Sequence, residues 1–244
     1  MARPENLTVG LALLLAAPVV CAQNRVEGVN PADLLTQVQV TTEYNRLGEG
    51  ADQWLFVGKY DYRIPDTSVG LNFEMPLHIR LDGPGFADNG NGDFFSRVRY
   101  IRTFGRWSVG GAFEVVAPWG SDAFTGGRWQ TNPAILAVHA WDAQNLTAMV
   151  HKRLFGYIEG DGDRADINQS QWRVLQIHIW PSGWYAQGDV SRFEDVLDGR
   201  DWFDSRVSIG KQVSATARVS AELKKLSGDV SNDYALSVSY ATKL

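Results

Sequence analysis

The sequence has 244 residues, 44% of them hydrophobic and 11% aromatic, and a formal net charge of −5. That content of apolar and aromatic side chains excludes an intrinsically disordered chain. The acidic balance, with no lysine- or arginine-rich run, excludes nucleic acid as a partner, because phosphates call for a basic surface.

Met1 to Asn6 carries Arg3 and the amino terminus; Leu7 to Val20 is almost wholly apolar and runs into Cys21-Ala22. A short apolar core followed by small residues reads as a secretory signal, so residues 1–22 are expected to be removed by cleavage after Ala22. The run is shorter than the roughly 20 residues a membrane-spanning helix needs. Cys21 is the only cysteine, so the processed chain would use neither disulfides nor thiols. Residues 23–34 are expected as a periplasmic N-terminal segment, followed by a β-barrel over 35–244.

From Leu35 onward the apolar residues recur with period two. In the stretch 69–81, Val69, Leu71, Phe73, Met75, Leu77, Ile79 and Leu81 share one face, while Asn72, Glu74, His78 and Arg80 share the other. Continuing along the chain gives twelve segments: 36–45, 53–64, 69–81, 94–104, 107–118, 133–142, 146–158, 169–180, 184–197, 202–213, 214–226 and 233–243. Most have the length a tilted strand needs to cross a bilayer, well above the five or six residues of an ordinary soluble strand.

The connections alternate. Tight ones fall at 65–68, 105–106, 143–145, 181–183 and 213–214; long ones fall at 46–52, 82–93, 119–132, 159–168 and 227–232, with a shorter one at 198–201. An antiparallel transmembrane barrel with short periplasmic turns and longer external loops has this pattern, and an even strand count puts both termini in the periplasm. Phe104, Trp107, Trp180 and Trp184 bracket two of the tight turns, where interfacial girdles are expected. The last segment, Tyr234 to Leu244, alternates like the strand by which such barrels are recognised for assembly. A soluble β-sandwich or lipocalin-like barrel also alternates, with its apolar face inward. Strand length and loop alternation favour the membrane barrel. Outer-membrane lipid, lipopolysaccharide, the assembly machinery and a small-molecule solute follow as its partners.

If the apolar faces meet lipid, parity lines the lumen with Lys59, Asp61, Arg63, Glu74, His78, Arg80, Arg97, Arg99, Glu114, Asp189, Arg206, Arg218 and Glu222. Glu43, Arg153, Asp204 and Lys224 join them, and so do all four histidines (His78, His139, His151, His178). The signs nearly balance, whereas a lumen for anionic sugars would carry an excess of arginine and lysine. Twelve strands lie between small filled barrels of about eight and open channels of about 16–18. No metal site is read, because no histidine pair has ligand spacing along one strand. No catalytic residue is read either, because no serine adjoins a histidine. The acidic loop 159–166 resembles half a calcium loop but lacks the glycine at its sixth position and the closing glutamate. No cofactor is implied.

Gly92-Asp93 opens a segment carrying Arg97, Arg99 and Tyr100; the next closes at Pro118, before Gly120-Ser121-Asp122, Thr125-Gly126, Trp129 and Pro133. This order resembles small outer-membrane proteins of the transporter-like family named for the meta-cleavage pathway of phenol degradation. The resemblance covers residues 92–133 and implies a barrel admitting small hydrophobic or aromatic compounds, without cofactor or catalytic residues. Trp119, Phe124 and Trp129 would suit an apolar loop mouth for such a ligand. A channel or uptake barrel is the leading expectation. The alternatives are a closed structural or loop-presenting barrel and an outer-membrane lipid-modifying enzyme.

Overall fold

The computed structural model describes residues 26–47, 50–157, 166–229 and 234–244. The expected signal segment and nearly all of the acidic loop 159–166 lie outside the described residues. The chain forms β1 (Gln37–Arg46), β2 (Asp52–Arg63), β3 (Val69–Gly83), β4 (Phe86–Gly90), β5 (Phe94–Phe104), β6 (Trp107–Ala117) and β7 (Trp129–Ala140). It continues as β8 (Asn145–Tyr157), β9 (Ile167–Ile179), β10 (Trp184–Asp195), β11 (Asp201–Gln212), β12 (Ala217–Gly228) and β13 (Tyr234–Lys243).

Twelve of these strands form a closed antiparallel barrel. Neighbours in sequence pair throughout, β3 pairs with β5, and β1 closes the ring by pairing with both β2 and β13. The thirteenth strand, β4, folds back on the upper part of β3 as a short hairpin within the expected loop 82–93. Residues 36 and 244 meet at the end of the barrel that holds the tight turns, where the Leu244 N–H donates to the Thr36 carbonyl. We call this the turn end and the opposite one the loop end. Gly105, with φ of 57°, makes the two-residue turn before Arg106, a conformation a side chain would oppose. In the turn before β8, the Asn145 side-chain amide and the Gln144 N–H donate to Asp142 and hold its carboxyl below the usual carboxylate range.

Burial decides which face is inside. Ile135 and Val207 are 64% and 66% exposed, whereas Glu114 and Asn132 are each 2% exposed. A soluble barrel has the reverse arrangement, so this wall turns its apolar side outward and its charges inward. Outward aromatics gather at both ends: Tyr62, Phe104, Trp107 and Trp141 near the turns, and Trp54, Trp119, Trp129 and Tyr234 near the loops.

Two places break the simple alternation. On β3 the register slips: Val57 faces Pro76 and Phe56 faces His78, leaving Leu77 unpaired as a bulge. One extra residue inverts the faces beyond it. Ile79 therefore points inward and is 4% exposed, while the Arg80 side chain is 62% exposed on the outer wall beside Asp82. His78 and Arg80, expected in the lumen, are thus on the outside. The second place is β7 to β9. There the inward residues toward the turn end are Leu136, Val138, Leu146, Ala148, Leu175, Ile177 and Ile179, while the outward alternates mix apolar Met149 and Val174 with polar and aromatic side chains. His139, His151, Arg153 and His178 therefore also face outward, not into the lumen. His139 lies against Trp107 at 4.4 Å, His151 against Trp172 at 4.1 Å and His178 against Trp180 at 4.5 Å. Deleting Leu77 should close the bulge and leave Ile79 inward and Arg80 outward, because Pro76 and His78 already face adjacent residues of β2; the heat-modifiable folded band is expected to persist.

Candidate functional site

The interior has three tiers along the barrel axis. The middle tier is a belt of charged side chains. Glu114 on β6 accepts from Arg97 on β5 (Nε at 2.8 Å), Asn132 on β7 (2.6 Å) and Lys152 on β8 (3.2 Å). Asp61 on β2 accepts from Gln37 at 2.8 Å and Asn72 at 3.0 Å, with Arg99 at 3.5 Å and Lys59 at 3.8 Å. Glu74 faces Lys59 directly across the β2–β3 pair. On the far wall Arg173 donates to Asp189 at 2.8 Å, and Arg206 joins Asp204 at 2.9 Å and Glu222 at 3.6 Å. Lys224 reaches Glu43 at 3.1 Å. A carboxylate with several donors keeps its charge at low cost in a confined space, where an unpaired one would be expensive.

These inner ion pairs lie within one strand, as Lys59–Asp61 and Arg206–Asp204 do, or join strands one or two places apart, and they run along the wall. None of the pairs just named bridges the barrel axis. The belt gathers Lys59, Asp61, Glu74, Arg97, Arg99, Glu114, Asp189, Arg206 and Glu222, all expected there. Lys152 and Arg173 were not among the expected residues. They occupy inward positions on β8 and β9; on β8 the period-two reading assigned His151 and Arg153, the neighbours of Lys152, instead.

The turn-end tier is the N-terminal stretch. Residues 26–35 sit inside its mouth; all but Leu35 belong to the stretch 23–34 expected as a periplasmic N-terminal segment. Val26 and Val29 are 3% and 9% exposed and pack into the cluster formed by Val138, Leu146, Ala148, Leu175, Ile177, Ile179 and Tyr185. Ala148 and Ile177 are fully buried beneath them. Burying two valines contributes about 1.5–3 kcal/mol each on an area basis. The stretch is folded on itself: the Asn30 side chain accepts from the Ala32 N–H at 2.9 Å, and Asp33 accepts from the Gly28 N–H at 3.0 Å. Gly28 has φ of 75°, and a Cβ there would collide with the Arg218 guanidinium. Arg218 donates to the Glu27 carbonyl at 3.2 Å and to Gln37 at 3.0 Å, and Lys243 pairs with the Glu27 carboxylate at 2.8 Å. Leu34 lies over Gly70 of β3. The plug does not fill the mouth. A cavity of about 490 Å³ lies between it and β6–β8, and one of about 390 Å³ lies on the side of Arg63 and Ile101.

The loop-end tier holds the residues of the family resemblance. Asp93 accepts from the N–H groups of Gly126 at 2.7 Å and Gly120 at 3.1 Å; Ser121 and Asn91 exchange hydrogen bonds. The motif is therefore a clasp that fastens the loop after β6 to the start of β5. The expected aromatic mouth is not assembled. Trp119 stacks on the outward Phe94 at 5.1 Å, Trp129 lies on the outer face of β7, and Phe124 approaches Gly90. The inward aromatic pair at this end is instead Phe193 and Trp202, stacked at 5.2 Å. Trp119 and Trp129 extend the outer girdle because their positions continue the lipid-facing parity of the strands they flank.

No family model and no curated protein matches this chain. Among solved structures, the COG4313 outer membrane channel from Pseudomonas putida F1 superposes with a TM-score of 0.72 at 13% identity, covering 90% of this chain and all of that one. The NanC porin gives 0.66 at 13% identity, with 85% of this chain and all of that one covered. The CymD monoaromatic hydrocarbon channel gives 0.52 at 8% identity, with 93% and 95% covered. The fold is that of outer-membrane β-barrel proteins.

Removing one partner of a buried charge network leaves the other exposed to a desolvation cost. Arg97→Leu should destabilise the barrel by about 3 kcal/mol. Arg80→Ala, on the outer wall, should change stability by less than about 0.5 kcal/mol. Urea unfolding in lipid vesicles reads both.

Proposed function

We propose that this protein is an outer-membrane channel for small molecules, with its turn end and both termini in the periplasm. The observation that carries this reading is the belt. Its ion pairs follow the wall, so the charged inner surface faces the barrel axis without spanning it. Solved structures of similar fold are channels and porins, which supports the same reading. Outer aromatic girdles fit a lipid boundary, and lipid and lipopolysaccharide are the surrounding partners we assign. The alternating strand β13 fits recognition by the barrel assembly machinery.

Positive and negative groups alternate around the belt, which suits neutral or weakly polar solutes better than strongly anionic ones. The likeness of residues 92–133 to the family of the phenol meta-cleavage pathway narrows the class further, to small hydrophobic or aromatic compounds. The CymD monoaromatic hydrocarbon channel, similar in fold, supports that class.

A closed barrel that presents its loops is the second reading, favoured by the plug at the turn end. Planar-bilayer recording separates the two. Discrete conductance steps with a cation-to-anion permeability ratio near unity are expected. A purified, heat-modifiable protein that inserts and shows no steps would establish the closed barrel instead. Recovery in a soluble periplasmic fraction would overturn both.

A further inference from the structure

The lumen wall is charged at mid-height yet apolar under the plug, and a water-filled passage has no use for a dry wall. We propose that this apolar wall is a binding site for a compact, uncharged, mainly apolar solute, and that the solute and residues 26–35 compete for it. Val26 and Val29 are then aliphatic placeholders, and occupancy by solute unseats the plug. The inference rests on the channel reading for the route by which solute arrives.

Three observations carry it. First, the seat is a continuous apolar surface in which Ala148 and Ile177 are fully buried, and two short aliphatic side chains cover it. Second, the seat already adjoins free space: the cavity of about 490 Å³ has Val26, Val138, Ala140, Leu146 and Ile179 as its apolar lining. That volume lies within the ordinary range of small-molecule sites, and Thr103, Ser108 and Arg106 on the barrel side of its rim offer polar groups to orient one hydroxyl or carbonyl. Third, the plug is held lightly. No described residue before Gln37 belongs to a strand, so no ladder of backbone hydrogen bonds ties 26–35 to the wall. Its polar ties to the barrel include Arg218 to a backbone carbonyl and the half-exposed Lys243–Glu27 pair. A segment that is seated by burial of two valines and a few polar contacts can be exchanged for a ligand that buries similar area.

The test places a single cysteine at the seat. Val29→Cys is made in the full chain with Cys21, the one cysteine of the sequence, replaced by serine. The folded protein in vesicles is treated with a membrane-impermeant thiol reagent, with and without benzyl alcohol as the probe solute. Slow labelling is expected without it, and labelling faster by roughly fivefold or more with it, the lower end of ordinary coupling between competing sites. Glycerol at equal concentration should have no effect. Ala140→Phe, added to fill the cavity, should abolish the acceleration while retaining the heat-modifiable band. Labelling unchanged by benzyl alcohol overturns the proposal, and so does equal acceleration in the Ala140→Phe protein, because the solute would then act through the bilayer. The readout needs no conductance, so a barrel that conducts but fails here loses only this inference. A barrel without conductance steps loses the channel reading on separate data.

Discussion

In hydrocarbon, a backbone N–H or carbonyl without a partner has no water to turn to, and each one left open costs several kcal/mol. A sheet can satisfy that condition only by closing on itself. Here closure is made by β1, which pairs over ten residues with β13 on one side and ten with β2 on the other. Every other feature depends on that ring. It forces side chains into two populations, one against lipid and one inside, and it sets the end at which residues 36 and 244 meet.

Within the ring the inside surface is divided by chemistry. Charged groups at mid-height are held by neighbours along the wall, and two of the carboxylates, Glu114 and Asp61, gather several donors each. Toward the turn end the same wall becomes apolar, and the chain supplies its own cover in Val26 and Val29. Toward the loop end a single carboxylate, Asp93, gathers two backbone N–H groups and pins a loop in place. Charge pairing, the apolar cover and the fastened loop thus occupy separate heights of one barrel. The neighbouring solved structures share the architecture at 8 to 13% identity, so side-chain chemistry at each height is this chain's own.

Much of this was legible in period two. Strand positions such as 94–104 fell where the residues alternated, because an alternating strand in lipid cannot slip by one residue without exposing charge. Lys59, Asp61, Arg97, Arg99 and Glu114 were assigned inside for the same reason. His78 and Arg80 were not, because a bulge at Leu77 shifts the phase and nothing local in the composition announces it. His139, His151, Arg153 and His178 were misplaced for a different reason. Toward the turn end Val138, Leu146 and Ile177 face inward on β7–β9, and the covering segment that makes this favourable is distant in the chain. Trp119, Phe124 and Trp129 are close in sequence, yet their directions depend on the strands and loops against which each one packs.

The sequence by itself determined the number of spanning strands, their approximate limits, the alternation of turns and loops, and the near balance of interior charge. These are consequences of local periodicity, which the bilayer enforces residue by residue. Only the tertiary structure decided which face of β7–β9 is inside, where the phase inverts on β3, and that residues 26–35 enter the mouth. The first and third depend on contacts between segments far apart in the chain, and the second on the register between β2 and β3. Burial of two valines against a wall more than a hundred residues away leaves no periodic trace in either segment.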